Sequence, residues 1–123
     1  MSNNISGGPA MVFVSEDNAE RITTTELPMP RGGKPVHDSW PVFKSGNGKV
    51  RSGIWQSTTG AWVTEIVGYT EFCHIIEGAV RVTDQDGRIN DIKAGDTFVM
   101  PDGFIGHWEV DRFVKKYFVI ADT

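Results

Sequence analysis

The stretch EFCHIIEGAVRVTDQDGRINDIKAGDTFVMPDGFIGHW, residues 71–108, decides the fold of this chain. Apolar-rich runs alternate in it with turn signals at Gly78, Asp86-Gly87, Ala94-Gly95-Asp96 and Pro101-Asp102-Gly103. Glycine supplies positive φ in such turns, and proline fixes φ at the value that the turn needs. Apolar runs at this even spacing are typical of antiparallel hairpins. The stretch therefore predicts four short strands joined by tight turns.

Further strands are predicted outside this stretch, at Val50–Ser57, Ala61–Val67, Glu109-Val110 and Phe113–Ile120, with turns at Thr59-Gly60, Gly68-Tyr69-Thr70 and Asp111-Arg112. About nine short strands and no helix are expected in total. Short antiparallel strands must close into a barrel or stack as two sheets to protect their edges. The sequence therefore predicts an all-β domain. A jelly roll is favoured over an immunoglobulin-like sandwich, because the cysteine pair of that sandwich is missing.

The first 48 residues differ in character from the rest. Ala10–Val14 is a short apolar run that we expect to lie as an edge strand, whereas Asp17–Thr25 is expected to be irregular. Leu27–Gly48 is rich in proline and glycine, which argues against a regular helix or a central strand. We expect residues 1–48 to form an N-terminal arm and wrapping segment and residues 49–123 to form the barrel, within one structural domain.

Composition limits the partners and the compartment. The 123 residues include 39% hydrophobic and 23% charged residues, with a net charge of -4. The hydrophobic and charged fractions are normal for a globular domain. The negative net charge is unfavourable for binding nucleic acid. Cys73 is the single cysteine, so an internal disulfide is excluded. There is no signal segment and no long apolar run, so we expect a cytoplasmic protein without nucleic-acid or membrane partners.

Two segments of the opening stretch resemble the two sequence motifs of cupins. Glu71 followed by FCHIIEG resembles the end of the first motif, in which a glutamate precedes a strand closing in glycine. Residues 95–103, GDTFVMPDG, resemble the second motif, a glycine and five residues before proline, any residue and glycine. From about Trp55 to Ile120 the chain is similar to the small cupins that include the cupin half of (S)-ureidoglycine aminohydrolase and the ethanolamine-utilisation cupin. The resemblance implies a cupin-type double-stranded β-helix, which is a jelly-roll barrel.

The residues that hold a metal in cupins are replaced in this chain. The resemblance implies a His-any-His pair just ahead of Glu71, but residues 64–67 read Thr-Glu-Ile-Val. It also implies a histidine at position 106, where Gly106 stands, and His107 comes one residue later, on the opposite face of a strand. We therefore expect no cofactor. The alternative is a transition metal held by Glu71 with His74 or His107, which would need further nitrogen or oxygen ligands.

Glu71 is the carboxylate around which we expect a cavity. In the register that the resemblance implies, Glu71 and Cys73 point inward and His74 points outward, and a slip of one residue would reverse this. Glu71 is the candidate catalytic acid or base. Cys73 would need a nearby cation to become a nucleophile, so a small buried apolar role is favoured. His74 is expected to be a structural histidine, with a general base as the alternative.

Other polar groups are expected beside Glu71. Tyr69 would add a hydroxyl and Glu65 a second carboxylate, which together with Glu71 would form an acid/base pair. Lys116 is the candidate for neutralising these carboxylates. Lys115 competes with Lys116 for the inward position, because one residue of ambiguity in the last strand exchanges their faces.

An aromatic wall is expected to complete the cavity. The candidate ligand-binding residues are Trp55, Trp62, Glu65, Cys73 and Trp108. Trp108 shares strand parity with Gly106, which would leave open the space that an imidazole fills in other cupins. Aromatic walls with a carboxylate suit a small polar or cationic organic ligand, whereas ordinary core packing is the alternative interpretation.

These observations favour a small-molecule-binding or accessory cupin with a degenerate metal site. One alternative is an enzyme, a hydrolase or lyase with or without a metal, acting on a small nitrogenous metabolite related to ureidoglycine or ethanolamine catabolism. Another is a structural or regulatory dimer without a ligand. A homodimer formed through the N-terminal arm and an edge strand is expected, and His37 in that arm is a candidate for completing a site across the subunit boundary. The fold alone does not choose among these functions.

Overall fold

The computed structural model describes residues 7–25 and 34–123, and antiparallel strands make up most of them. The strands are β1 (Ile22–Thr25), β2 (Val36–Lys44), β3 (Val50–Glu65), β4 (Tyr69–Asp84), β5 (Ile89–Lys93), β6 (Thr97–Met100) and β7 (Ile105–Asp122). The only helical element of the described residues is a short 3-10 helix at Glu16–Asn18. Within these two ranges, no helix is long and apolar enough to span a membrane. The predicted all-β class is confirmed.

Strand β7 lies at the centre of the sheet, paired with β3 on one side and with β4 on the other. The strand order is β1-β2-β3-β7-β4-β5, and β6 pairs with the first part of β4. Strand β4 therefore uses one edge for β7 and divides its other edge between β6 and β5. The inner faces of the long strands surround a core that includes Trp62, Ile75, Val80, Val82, Met100, Trp108 and Val114.

The predicted turns between the later strands are confirmed. The N–H of Gly87 donates to the carbonyl of Asp84 at 3.0 Å, and the N–H of Phe104 donates to the carbonyl of Pro101 at 3.0 Å. Gly87, Gly95 and Gly103 all have positive φ, between 82° and 97°. At these three positions the backbone conformation of the turn favours a residue without a Cβ.

Three predicted turns are wrong, because the strands continue through them. Strand β3 passes Thr59-Gly60, β4 passes Gly78, and β7 passes Asp111-Arg112. The ladders shift register at these places, between Thr58 and Gly60 in β3 and between Gly78 and Arg81 in β4. A β-bulge of this kind bends a strand without ending it. The described residues therefore form seven strands, three of them long, in place of about nine short ones.

The predictions for the N-terminal part also need correction. Ala10–Val14 does not form an edge strand, and Met11 and Phe13 in it are 82% and 69% exposed. Asp17–Thr25 is not irregular throughout, because Ile22–Thr25 forms β1, which pairs with β2. β-branched threonines disfavour a helix but fit a strand.

The prediction that Leu27–Gly48 contains no regular helix or central strand is wrong for Val36–Lys44, which forms β2 between β1 and β3. Pro41 lies where the β2–β3 register shifts, so its missing N–H removes no regular ladder bond. Residues 27–33 of that segment lie outside the described part of the chain. The division at residue 48 stays a prediction, and β2 belongs to the sheet.

Gly78 supplies a test of the contact between β4 and β7. It has a φ of 79°, and a Cβ there would lie 2.0 Å from the carbonyl oxygen of Phe113. Gly78→Ala should lower the free energy of unfolding by about 3 kcal/mol or more, because the substitution strains the backbone and displaces β7. Unfolding in denaturant measures the loss. The matched control is Gly87→Ala, which has a φ of 82° and nothing within 4 Å, and should lose only about 1 to 2 kcal/mol. Equal losses would contradict the steric role of Gly78.

Candidate functional site

A cavity of about 400 Å³ lies against the inner faces of β2, β3, β4 and β7. Its aromatic wall is made by His37, Trp55, Trp62 and Trp108. Its polar groups are Ser39, Thr64, Glu65, Glu71 and Lys116. A concave site of this volume, with an aromatic wall and convergent polar groups, is typical of pockets for small molecules.

A buried ion pair lies in this cavity. Nζ of Lys116 is 2.6 Å from Oε2 of Glu71, and the two residues are only 6% and 8% exposed. The thiol of Cys73 donates to the same oxygen at 3.3 Å. Each charge has lost most of its hydration, so each depends on the other for stabilisation. Removing either partner would leave a buried charge uncompensated.

Tryptophans surround the ammonium group. Nζ of Lys116 lies 4.7 Å from the ring centroid of Trp55 and 4.9 Å from that of Trp108. Trp55 is the cross-strand partner of Lys116, and Trp62 is the partner of Trp108, on which it stacks at 5.9 Å and 24°. Cation–π contacts of this kind strengthen when the cation is withdrawn from water. The β3–β7 register therefore builds the aromatic cage around the lysine.

The environment keeps these groups in defined protonation states. Burial alone would lower the pKa of Lys116, but the charge of Glu71 and its hydrogen bond outweigh burial, and the pKa is raised. Burial raises the pKa of the Cys73 thiol to about 12, despite the opposing charge of Lys116. Burial, followed by the charge of Glu71, also raises the pKa of Tyr69. Near neutral pH, Lys116 is therefore charged, and Cys73 and Tyr69 carry their protons.

The structure brings most of the predicted site residues together. The predicted residues that line the cavity are Trp55, Trp62, Glu65, Glu71, Trp108 and Lys116. Cys73 is fully buried beside Glu71, and Tyr69 packs against the core, so neither lines the cavity. Lys115 faces outward, where it forms an ion pair with Glu16 and lies 5.5 Å over the ring of Trp40. The ambiguity between the two lysines is thereby resolved in favour of Lys116.

The two histidines considered as metal ligands are not beside Glu71. His74 is on the other face of β4, where Nδ1 is 2.8 Å from Oγ1 of Thr97 and the ring stacks on Tyr117. His107 lies opposite Val63 and alternates with the inward-facing Gly106 and Trp108.

The donor set does not fit a resident metal ion. The carboxylate of Glu71 is already in contact with the ammonium of Lys116, and a metal would compete with that charge for the same oxygen. Within residues 7–25 and 34–123, His, Cys, Asp and Glu form no group of three or more that could hold a metal. A cupin metal site with His74 or His107 is therefore not supported by the positions of these side chains.

Two expectations about the cavity need correction. His37 lines the cavity of its own chain and meets Trp62 and Trp55 edge-on at 4.6 and 5.0 Å, so completing the site does not require a partner's His37. Gly106 does not leave an open space, because a Cβ there would lie 2.6 Å from the ring of Phe104. His37 and Ser39 are two residues apart, which is the spacing of side chains on one face of a strand. The nearby prolines argued against a strand, so this spacing was not recognised.

The family model of the EutQ-like cupin domain matches residues 44–118, which is more than half of the chain. No curated protein matches the chain. The solved structure of a Salmonella typhimurium protein assigned to ethanolamine utilisation, EutQ, superposes with a TM-score of 0.62 at 16% identity, covering 85% of this chain and 97% of that one. The EutQ protein of Clostridium difficile gives a TM-score of 0.62 at 18% identity, with coverages of 90% and 81%.

A third solved structure belongs to a Pseudomonas syringae protein of unknown function. It superposes with a TM-score of 0.68 at 22% identity over 81% of this chain. The present chain spans only 44% of the length of that protein. At such identities the similarity shows the fold alone. The cupin-type jelly roll predicted from the sequence is confirmed.

A double-mutant cycle tests the buried ion pair. Lys116→Met and Glu71→Gln should each lower the free energy of unfolding by about 3 to 5 kcal/mol, because each leaves a buried charge unpaired. The double variant should lose less than the sum of the two, by at least about 2 kcal/mol. Unfolding in denaturant gives all four values. The control cycle is Arg51→Met and Asp122→Asn, a half-exposed pair at 2.8 Å whose coupling energy should be clearly smaller. Additive losses at Glu71 and Lys116 would show that the pair is not coupled.

The raised pKa of Cys73 predicts how stability depends on pH. The thiol titrates near 9.0 in the unfolded chain and near 12 in the folded one, so it is protonated in both states below about pH 9. Above that pH only the unfolded state releases the proton, and stability should fall by up to about 1.4 kcal/mol per pH unit. The raised pKa of Lys116 acts in the same direction at higher pH. Thermal unfolding across this range should show the decline, and Cys73→Ala should delay its onset. The same onset in both proteins would contradict this assignment.

Proposed function

The chain belongs to the family of EutQ-like cupin domains, and from this premise we propose that it binds a small organic molecule, without a metal, in the cavity around Glu71 and Lys116. The observation that carries the proposal is the buried ion pair at 2.6 Å inside an aromatic cage. We further propose that the protein acts as a cytoplasmic homodimer.

Metal independence is supported by the contact between the ammonium of Lys116 and the carboxylate of Glu71. The ammonium of Lys116 provides a positive charge where a bound cation would otherwise contact Glu71. A divalent cation entering the same place would be repelled by this charge and would have to displace it. Because the lysine is covalently part of β7, its charge is present in every copy of the protein.

Ligand binding is supported by the shape and chemistry of the cavity. Its volume of about 400 Å³ accommodates a small metabolite. Trp55, Trp62 and Trp108 offer rigid apolar surfaces that lose little entropy when a ligand binds. Glu65 is exposed at the cavity and adds a polar contact where solvent has access. These features suit a ligand with a compact apolar body and a few polar atoms.

The enzyme hypothesis uses the same residues. A hydrolase or lyase acting on a small nitrogenous metabolite would use Glu71 as the acid or base, with Lys116 or Tyr69 as a proton donor. Oε2 of Glu71 already accepts hydrogen bonds from Lys116 and Cys73, so contact with a substrate proton would fall to Oε1. We therefore keep binding without turnover as the main proposal and acid/base chemistry at Oε1 as the alternative.

Metal analysis is the first test. The protein, purified without chelators, should contain well under one transition metal ion per chain by mass spectrometry, and Lys115→Met should give the same result. One tightly bound transition metal ion per chain in the wild-type protein would overturn the proposal, because it would require Glu71 to be free of Lys116.

Thermal shift against a library of small metabolites is the second test. A ligand present at about 100 times its dissociation constant should stabilise the folded protein by about 2.7 kcal/mol and raise the Tm by several degrees. The shift should persist in Lys115→Met, whose lysine faces outward, and disappear in the double variant Glu71→Gln/Lys116→Met, which removes both charges together. No shift with any compound would favour a structural or regulatory dimer.

A further inference from the structure

A row of apolar side chains crosses the outer face of the sheet, which is the face turned away from the cavity. Cross-strand pairing places five residues side by side from β2 to β6, namely Phe43, Ser52, Val119, Phe72 and Val99. All of them except Ser52 are large hydrophobic residues, and these four are between 39% and 53% exposed. We call this row the outer stripe. Contiguous apolar patches on a protein surface mark interaction sites.

The outer stripe and the rows on either side of it contain no Lys, Arg, Asp or Glu. One neighbouring row consists of Trp40, Ile54, Tyr117, His74 and Thr97, and the other includes Val50, Ala121 and Thr70. Two copies of a chain with a net charge of -4 repel each other least where the facing surfaces carry no charge. A two-fold contact places a patch against the same patch of the other copy. An uncharged patch suits such a contact, whereas it offers a charged partner no counter-charge.

A second exposed apolar feature lies beside the same face. The residues of Met11–Phe13 are between 46% and 82% exposed. The 3-10 helix that follows them is fixed to the outer face, because Glu16 forms an ion pair with Lys115 of β7. Nδ2 of Asn18 donates to the carbonyl of Phe13 at 2.8 Å. The apolar segment Met11–Phe13 is therefore anchored beside the outer face, while its own chain leaves its side chains largely uncovered.

Together the two features have the area of a stable interface. Side chains of this size present about 150 to 250 Å² when fully exposed. The exposed parts of Met11–Phe13, of the four hydrophobic residues in the outer stripe and of the neighbouring Val50 and Tyr117 therefore amount to roughly 800 Å² per chain. A standard protein–protein interface buries about 800 Å² on each partner.

We propose that a second copy of this chain covers the outer stripe, with the segment Met11–Phe13 of each copy packed against the outer stripe of the other. Each copy offers one segment and one stripe, so two identical contacts close the dimer. This assignment rests on the proposed homodimer and names its surface. It keeps the N-terminal arm that the sequence predicts for the contact and places a sheet face where an edge strand was expected.

Sedimentation of the full chain in the analytical ultracentrifuge tests the surface. The wild type should sediment as two chains. Val99→Lys and Phe13→Lys should each weaken dimerisation at least about a hundredfold, because a symmetric dimer contains every substitution twice and buries each ammonium among apolar groups. Phe13 lies outside the sheet, so its substitution leaves the strands undisturbed.

Ile22→Lys is the matched control for Val99→Lys. Ile22 is 51% exposed, and its cross-strand partner Ser39 lines the cavity, so Ile22 is not on the outer face. This variant should stay a dimer. If Ile22→Lys separates the chains and Val99→Lys does not, the contact is the edge strand and the proposed surface is wrong.

Disulfide crosslinking tests which copy covers the stripe. A tagged Phe13→Cys copy is mixed in turn with untagged copies that carry a cysteine in the outer stripe, namely Phe72→Cys, Val99→Cys and Val119→Cys. Oxidation should join tagged to untagged chains in at least one of these mixtures, and a mixture with Ile22→Cys should give no such product. Cys73 is fully buried and does not compete.

The outcomes separate this surface from the proposed function. A dimer that survives both lysine substitutions, or the absence of a crosslink in all three mixtures, would overturn the surface alone. A wild type that sediments as a single chain would overturn the proposed homodimer together with the surface. The substituted residues do not line the cavity, so the metal and ligand tests stay independent of these results.

Discussion

The ion pair between Glu71 and Lys116 is the constraint on which the cavity depends. It joins β4 to the central strand β7, and it holds two charges away from water. Such a pair is tolerated only where its geometry is good and its remaining donors and acceptors have partners. Cys73 supplies one partner by donating to Glu71, and the rings of Trp55 and Trp108 cover the ammonium. Much of the inner wall therefore offsets the cost of removing the charge of Lys116 from water.

The sequence was sufficient for the strand type and for the tight turns, but not for the lengths of the strands. Asp86-Gly87 and Pro101-Asp102-Gly103 are true turns because their side chains and positive φ values close the chain within a few residues. Gly78 also has positive φ, yet its strand continues, because β7 remains paired with β4 on both sides of the bulge. The sequence alone does not distinguish a glycine that ends a strand in a turn from a glycine that bends a continuing strand. What distinguishes them is pairing with distant residues.

Strand alternation placed part of the site correctly and left part of it undetermined. Counting by two from Glu71 gives Cys73 inside and His74 outside, as the structure shows, because no bulge intervenes between them. In β7 the same counting from Trp108 had to cross Asp111-Arg112, where an irregular pairing can exchange the faces of Lys115 and Lys116. His37 was assigned to an arm because prolines near it obscured β2. The space at Gly106 could not be judged either, since the ring of Phe104 fills it from outside the motif.

A lysine and a metal ion give a cupin cavity different chemical properties. A metal offers open coordination positions and can polarise a bound oxygen, whereas an ammonium offers hydrogen-bond donors and a fixed charge. Here one of those donors is directed to Glu71, and the cage of tryptophans excludes water from the rest of the group. In this chain the EutQ-like cupin framework surrounds a centre built from hydrogen bonding and aromatic contact. The centre of the cavity therefore holds two opposite charges that balance each other, so the pair adds no net charge to its surroundings.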